Sequence, residues 1–445
     1  MVSVSIFRSS GKAPDRNFLP AGRLLEDLLS YLWNPGIRAP ILHCVTASHS
    51  FDLFTSVTGE MHGVLRDAAR RGPLATDTLT GAVIVLRQQD VEALSRDPRL
   101  QGIGLLVFDL LGITDGPLRD WYGRLMITTE GEYHHRMRKL VSHAFTPKSV
   151  EGLRATAADM AAEAVGAVGR EGDDLIGTCS TIATGLTCRL LGVPDEDVKV
   201  FECWANSLSP VFNVMAPEQI TAATAAITEF LSYIDELITR RRQNPGSDLI
   251  SALLTAELDG DRLNRDETMA MIANLLVAGH DTTGSQIPCS VLVALQHRDR
   301  LAGVEHDHTR LANAVAETMR LEPSIPVLPR TTVEPVELHG TVIPAGSILY
   351  LCTAAANRDP SAWDDPDVFD PDRFNGPTPR VLTFGAGAHY CLGTALAKLA
   401  VEEYLRAVLA ASPTLQLAED PADIPWRRVL GRSPARLQVR PLVAA

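Results

Sequence analysis

One thiol stands among small residues in FGAGAHYCLG, Phe384 to Gly393. A thiolate is a soft, negatively charged metal ligand. To hold iron in a flat macrocycle, the backbone must come close to the ring face. Gly385, Gly387 and Gly393 permit that approach and unusual backbone angles. Phe384 can pack beside the sulfur of Cys391. Backbone N–H groups in such a turn spread the charge of the sulfur and tune the metal. A helix that begins after Cys391 adds its N-terminal dipole. His389 is placed to reach a carboxylate on the cofactor rim.

Other charged residues recur at helical spacing. His134 and Arg138, in HHRMRKLVSHAF, are four apart and share one face. A guanidinium there suits a carboxylate, because it makes forked hydrogen bonds. Glu317 and Arg320, in ETMR, are three apart and also share a face. Buried, that pair needs further hydrogen bonds to offset desolvation.

The chain that must position these groups has 445 residues, 45% hydrophobic and 21% charged, a globular composition. A formal net charge of -13 argues against nucleic acid as a general partner. Seven cysteines, an odd number without a CxxC, argue against a disulfide framework or a zinc cage and fit a reducing cytoplasm. The start lacks the pattern of a secretory signal. No apolar run reaches the roughly 18 residues of a membrane span, so no integral membrane anchor is expected.

Residues 1–50 read as an N-terminal extension. Leu24, Leu25, Leu28, Leu29 and Leu32 form an apolar stripe that NPG at 34–36 stops. Glu26 and Asp27 on its polar face weigh against a membrane-surface helix. Residues 51–445 read as one domain, mainly α with a smaller β-rich part. FTSVTGEMHGVLRDAARRGPL predicts a helix ended at Gly72-Pro73, AVIVLRQ a strand, QDVEALSRD a short helix, and 101–120 an apolar loop. The α-rich part covers about 130–322, with breaks at GVPDED, NPGSD and ELDGDRL. The β-rich part covers about 323–380, and a last helix follows Cys391 through TALAKLAVEEYLRAVLAA.

The thiol frame resembles the haem-binding loop of the cytochromes P-450, F-x-x-G-x-[HR]-x-C-x-G, and matches at every fixed place. Three further matches follow the family's order. AGHDTT, Ala278 to Thr283, resembles the oxygen-activation motif of its long central helix. The resemblance implies that Ala278 and Gly279 leave room for dioxygen and substrate, and that Asp281 and Thr282 deliver protons. ETMR with FDPDRF implies a structural triad of Glu317, Arg320 and Arg373. His134, Arg138 and Arg330 match the donors to the haem propionates, joined by His389. TEGEYHH departs from the family's acidic-Pro-Pro-Glu-His lead-in, so this helix should start differently.

The resemblance therefore implies the cytochrome P-450 fold and haem b ligated by Cys391, with Phe384, Gly385 and Ala278 beside it. The implied reaction inserts one oxygen atom of O2 into a lipophilic small molecule, by hydroxylation or epoxidation. Expected substrate contacts are Asn274, Leu275, Ala278, Val327 and Leu328, with the loop near 101–120 and residues near Val429 and Leu430. Electrons are expected from a ferredoxin and its NAD(P)H-dependent reductase, docking near Arg136, Lys139 and Lys398. The alternatives are a haem protein without turnover and a peroxide-driven hydroxylase. The pair Asp281 and Thr282 weighs against both.

Overall fold

The computed structural model describes residues 47–168, 173–258, 260–411, 415–428 and 430–441. The leucine stripe near the start and Val429 lie outside the described residues.

The elements that build the site are, in chain order, β1 (Ser50–Phe51), α1 (Leu53–Thr58), α2 (Met61–Arg71), β2 (Leu74–Asp77), β3 (Val83–Val85), β4 (Leu100–Gln101), α3 (Gly131–Ala144), α4 (Ile176–Leu191), α5 (Val198–Leu208), α6 (Pro217–Gln243), α7 (Arg265–Gln296), α8 (His308–Leu321), β5 (Leu328–Thr332), β6 (Ile348–Leu351), α9 (Thr394–Ala411), β7 (Trp426–Arg428) and β8 (Arg432–Pro434). The helix expected over 54–71 is two, α1 and α2, separated at Gly59. The apolar stretch 101–120 is not all loop. It carries short helices at Leu106–Leu110 and Pro117–Tyr122.

β1 to β6 form one mixed sheet in the order β1-β2-β3-β6-β5-β4. The β-rich part is thus not confined to 323–380: four of the strands come from the front of the chain. β3 pairs parallel with β6, setting Val83 against Leu349 and Ile84 against Tyr350. Alternation sends these side chains to opposite faces. Val83, Val85, Leu349 and Leu351 join a core with Leu382 and Ala386. Ile84 and Tyr350 join the other face, under Leu53 and Val57 of α1.

The largest core lies among the helices and includes Phe201, Phe230, Leu276 and Tyr404. α7 crosses it for 32 residues. Its start is sharp because Asn264 accepts from the N–H of Glu267 while Glu267 reaches back to the N–H of Asn264. α4 packs along α7 at small residues. A Cβ on Gly279 would stand 2.6 Å from Thr187 Oγ1, and one on Gly284 would stand 3.3 Å from Ser180 Cα. Gly279 is therefore small for helix packing, rather than to open a groove for dioxygen.

Candidate functional site

The loop before α9 carries the thiol. The N–H of Cys391 donates to the carbonyl of Phe384 at 3.0 Å, closing the turn. Two positive φ angles shape it, +69° at Gly385 and +72° at Gly387. A Cβ on Gly387 would collide with the carbonyl of Ser95, so this glycine admits a neighbouring chain rather than a ring. Leu328 of β5 lies 3.4 Å from where a Cβ of Gly385 would stand. The sulfur precedes the first turn of α9, and Thr394 Oγ1 donates to the Cys391 carbonyl at 2.8 Å. Burial pushes the thiol above its usual range. The N–H of Gly393, the Thr394 hydroxyl and the charge of Arg138 pull it back.

A basic group surrounds this loop. Arg138 on α3 donates to the carbonyl of Tyr390. Burial lowers its pKa, while Cys391 acts in the opposite sense. Arg330 on β5 is 9% exposed and donates to the carbonyl of Pro329 at 2.9 Å. Its pKa too is pushed down by burial, against the charge of Glu130. His134 is 1% exposed, and its ring stacks 4.3 Å from that of His389. Its Nε2 is buried without a partner. Burial above all, then the charge of His389, lowers its pKa to about 4. The expected donors, His134, Arg138, Arg330 and His389, thus stand around one loop.

Sequence reasoning missed Glu130. Its Oε2 accepts from His389 Nε2 at 3.0 Å and its Oε1 from the N–H of Gly102 at 2.7 Å. Burial raises this carboxyl, but the two donors outweigh it and hold it below the usual range. The departure in TEGEYHH was the available signal. Gly131 takes φ +64°, and Glu130 stands at the helix N-cap without capping it, so its carboxylate serves the thiol loop instead.

Across α7 an accessible stripe interrupts burial. Leu275, Ala278 and Thr282 are partly or fully exposed, whereas Leu276, Val277, His280, Asp281 and Thr283 are buried. The spacing of three and four puts the stripe on one face. Thr282 Oγ1 donates to the Ala278 carbonyl at 2.6 Å. Asp281 does not reach solvent. Its Oδ2 accepts from the N–H groups of Leu430 and Gly431 at 3.1 and 2.6 Å, tying α7 to the turn between β7 and β8. His280 is equally engaged: its Nε2 meets Asn206 Oδ1 at 3.1 Å, and its Nδ1 meets Thr184 Oγ1 at 2.5 Å. Asn274 is buried in α7. Val327 packs beside Phe54 at the sheet.

The structural triad forms. Glu317 and Arg320 are fully buried and meet through two bonds of 2.7 Å, and Arg373 Nε reaches Glu317 Oε1 at 2.9 Å. A second buried network was invisible in the sequence. Glu322 accepts from Arg432 at 2.8 Å and meets His62 at 2.6 Å. Burial raises its carboxyl, yet His62 and Arg432 hold it down at about 2. Arg136, expected on a docking face, is committed instead. It grips Asp261 at 2.6 Å and Glu267 at 2.7 Å, which raises its own pKa.

These residues fit haem. Among the described residues, the guanidinium of Arg138 and that of Arg330 bond only backbone carbonyls, and His134 holds an unpartnered nitrogen, as donors to a ring edge bearing carboxylates should.

Comparison with known proteins agrees with that reading. Residues 306–427 match the family profile described as Cytochrome P450. The chain is 36% identical over 371 residues to Cytochrome P450 107B1 of Saccharopolyspora erythraea, covering 81% of this chain and 89% of that protein. It is 36% identical over 342 residues to 6-deoxyerythronolide B hydroxylase of the same organism, covering 76% and 83%. Among solved structures it is similar to CalO2, with TM-score 0.80 and 28% identity over 88% of this chain and 98% of that one. It is also similar to the P450 monooxygenase TamI, with TM-score 0.76 and 28% identity over 95% and 99%. No described helix is long and apolar enough to cross a membrane.

Proposed function

Because the chain belongs to the cytochrome P450 family and is a haem monooxygenase, we propose that it inserts oxygen into a lipophilic small molecule held over haem b, in the cytoplasm, with electrons from a ferredoxin and its NAD(P)H-dependent reductase. The observation that supports the site assignment is that Arg138, beside the thiol of Cys391, donates to the carbonyl of Tyr390 in the thiol loop, while α7 separately leaves Ala278 exposed.

Cys391 would ligate the haem iron in this reading. Arg138, Arg330, His134 and His389 would hold the carboxylates of the ring, and Phe384 and Gly385 shape the turn that carries the thiol. When bound, the haem supplies activation of dioxygen, with the thiolate favouring O–O cleavage. The rest falls to the chain. Leu275, Ala278, Val327 and Leu328 offer aliphatic surface that orients the substrate and excludes water. Thr282 keeps its hydroxyl on the open stripe by donating to Ala278, and its oxygen retains acceptor capacity. Asp281 supplies the adjacent acid and is oriented by two backbone N–H groups. Proton delivery at the Thr282 hydroxyl is the role we assign to this pair. One relative is a hydroxylase of 6-deoxyerythronolide B, which supports hydroxylation as the reaction here.

The test is spectroscopic. The reduced carbon monoxide complex should show the long-wavelength Soret band of a thiolate-ligated haem, and Cys391→Ser should lose it. A short-wavelength band alone in native protein would overturn the assignment. Thr282→Ala should keep that band but divert electrons to hydrogen peroxide. Wild-type coupling in that variant would remove Thr282 from its role.

A further inference from the structure

The hairpin of β7 and β8 carries a cation that no hydrogen-bond acceptor among the described residues meets. β7 pairs antiparallel with β8, setting Trp426 against Pro434, Arg427 against Ser433 and Arg428 against Arg432. Trp426, Arg428 and Arg432 therefore share one face. Arg432 is fully provided for: it donates to Glu322 at 2.8 Å and to the Val57 carbonyl at 2.6 Å, and its guanidinium lies 3.3 Å from the centre of the Trp426 ring. Arg428, its cross-strand neighbour, donates no hydrogen bond to any described residue. Its Nε is buried without a partner, and its guanidinium lies 5.1 Å over the ring of Phe54. Burial pushes its pKa down, and Tyr350 opposes the shift. An aromatic face answers the charge but none of the N–H donors. Glu322, a carboxylate of the same network, already serves Arg432 and His62.

Arg427 has an unpartnered Nε as well. It points to the opposite face, where its charge acts on His280 and Cys289 of α7. That face is helix packing.

The surroundings of Arg428 lead toward the reacting face. Phe54 packs with Val327 against the cluster that contains Tyr350 and Val57. Ser324, three residues before Val327, donates to the Thr282 carbonyl at 3.2 Å. The turn after β7 binds Asp281 through Leu430 and Gly431. Arg428 pairs directly with Arg432, the residue after Gly431, so it stands at the base of that turn.

We propose that Arg428 is an anion anchor for the substrate: it takes the carboxylate or phosphate end of an elongated lipophile whose apolar body lies along Phe54 and Val327 toward Thr282. This deepens the monooxygenase reading and rests on it. Arg428 is half-buried and its Nε is sealed from water without an acceptor, which costs stability; a ligand oxyanion at the guanidinium removes that cost while its chain fills the apolar wall.

The experiment titrates haem-loaded protein with matched alkyl ligands of one chain length, bearing a carboxylate, a phosphate, a methyl ester, an alcohol or an amine, and follows the Soret band. The carboxylate or the phosphate should bind at least about tenfold more tightly than the ester and alcohol, and whichever leads identifies the headgroup. Arg428→Gln should abolish that preference and leave affinity for the alcohol unchanged; Arg428→Lys should retain part of it. The proposal is overturned if the amine or a neutral ligand binds best, if the preference survives Arg428→Gln, or if no anionic ligand shifts the band. The carbon monoxide band of the same samples reports separately on the parent reading, which stands if that band is normal whatever the ligands do.

Discussion

Two sets of buried arginines differ in what meets them. Around Glu317, every donor of Arg320 finds an acceptor: both oxygens of Glu317 and the carbonyls of Asn357, Pro366 and Val368. Near the thiol loop Arg138 and Arg330 are left with backbone carbonyls, and on the β7–β8 hairpin Arg428 donates to no described residue. The first set is complete within the chain and welds the segment 357–373 to α8. The second set is complete only with an oxyanion from elsewhere. Burial of a cation therefore does not mark function; burial without an acid does.

Breaking the complete set should cost most. Glu317→Ala strands Arg320 and Arg373 without their carboxylate and should destabilise by about 3–5 kcal/mol, read as a lowered denaturant midpoint. Replacing Glu317 and Arg320 together by apolar residues should recover part of that loss. The incomplete set should behave otherwise. Arg138→Ala with Arg330→Ala should shift the midpoint far less, yet speed haem loss to a scavenging apoprotein by about 10–100-fold. Equal damage to fold and haem retention would dissolve the contrast.

Acid should separate the networks as well. His134, lowered from 6.5 to about 4, stays neutral in the fold while the unfolded chain takes up a proton. Stability should thus fall as pH drops from about 6.5 to about 4, by about 1–2 kcal/mol, and His134→Gln should flatten that slope. Glu322, lowered from 4.5 to about 2, loses its contribution later, as pH falls from about 4.5 to about 2. The smallest change is Asp281→Asn. An amide oxygen can still accept from Leu430 and Gly431, so the midpoint should move by less than about 1 kcal/mol, while coupled turnover falls. An unchanged rate would assign Asp281 to the hairpin alone.

Much of this was legible because it is local. The helix after Cys391 runs over TALAKLAVEEYLRAVLAA as its periodicity predicts, the spacing in ETMR joined Glu317 to Arg320, and Arg138 of HHRMRK reaches the carbonyl of Tyr390 in the thiol loop. What escaped is long-range. Nothing near Arg136 in sequence announces Asp261, and nothing near Glu322 announces Arg432. The reasons for Gly279 and Gly387 were misread because the backbones that crowd them come from α4 and from Ser95. The stretch 101–120 hid two short helices, since five or six residues carry too little periodicity.

The pairing of β3 with β6 has a further consequence. Val83 and Leu349 are direct partners across the sheet, so a chain emerging from the ribosome holds an unfinished sheet edge until most of it has been made. N-terminal segments fold first during synthesis, and distant pairings are slow. The thiol follows that pairing by about forty residues of sequence. Prosthetic-group capture is therefore among the last acts of maturation, and a chain cut short before β6 has no scaffold on which to begin it.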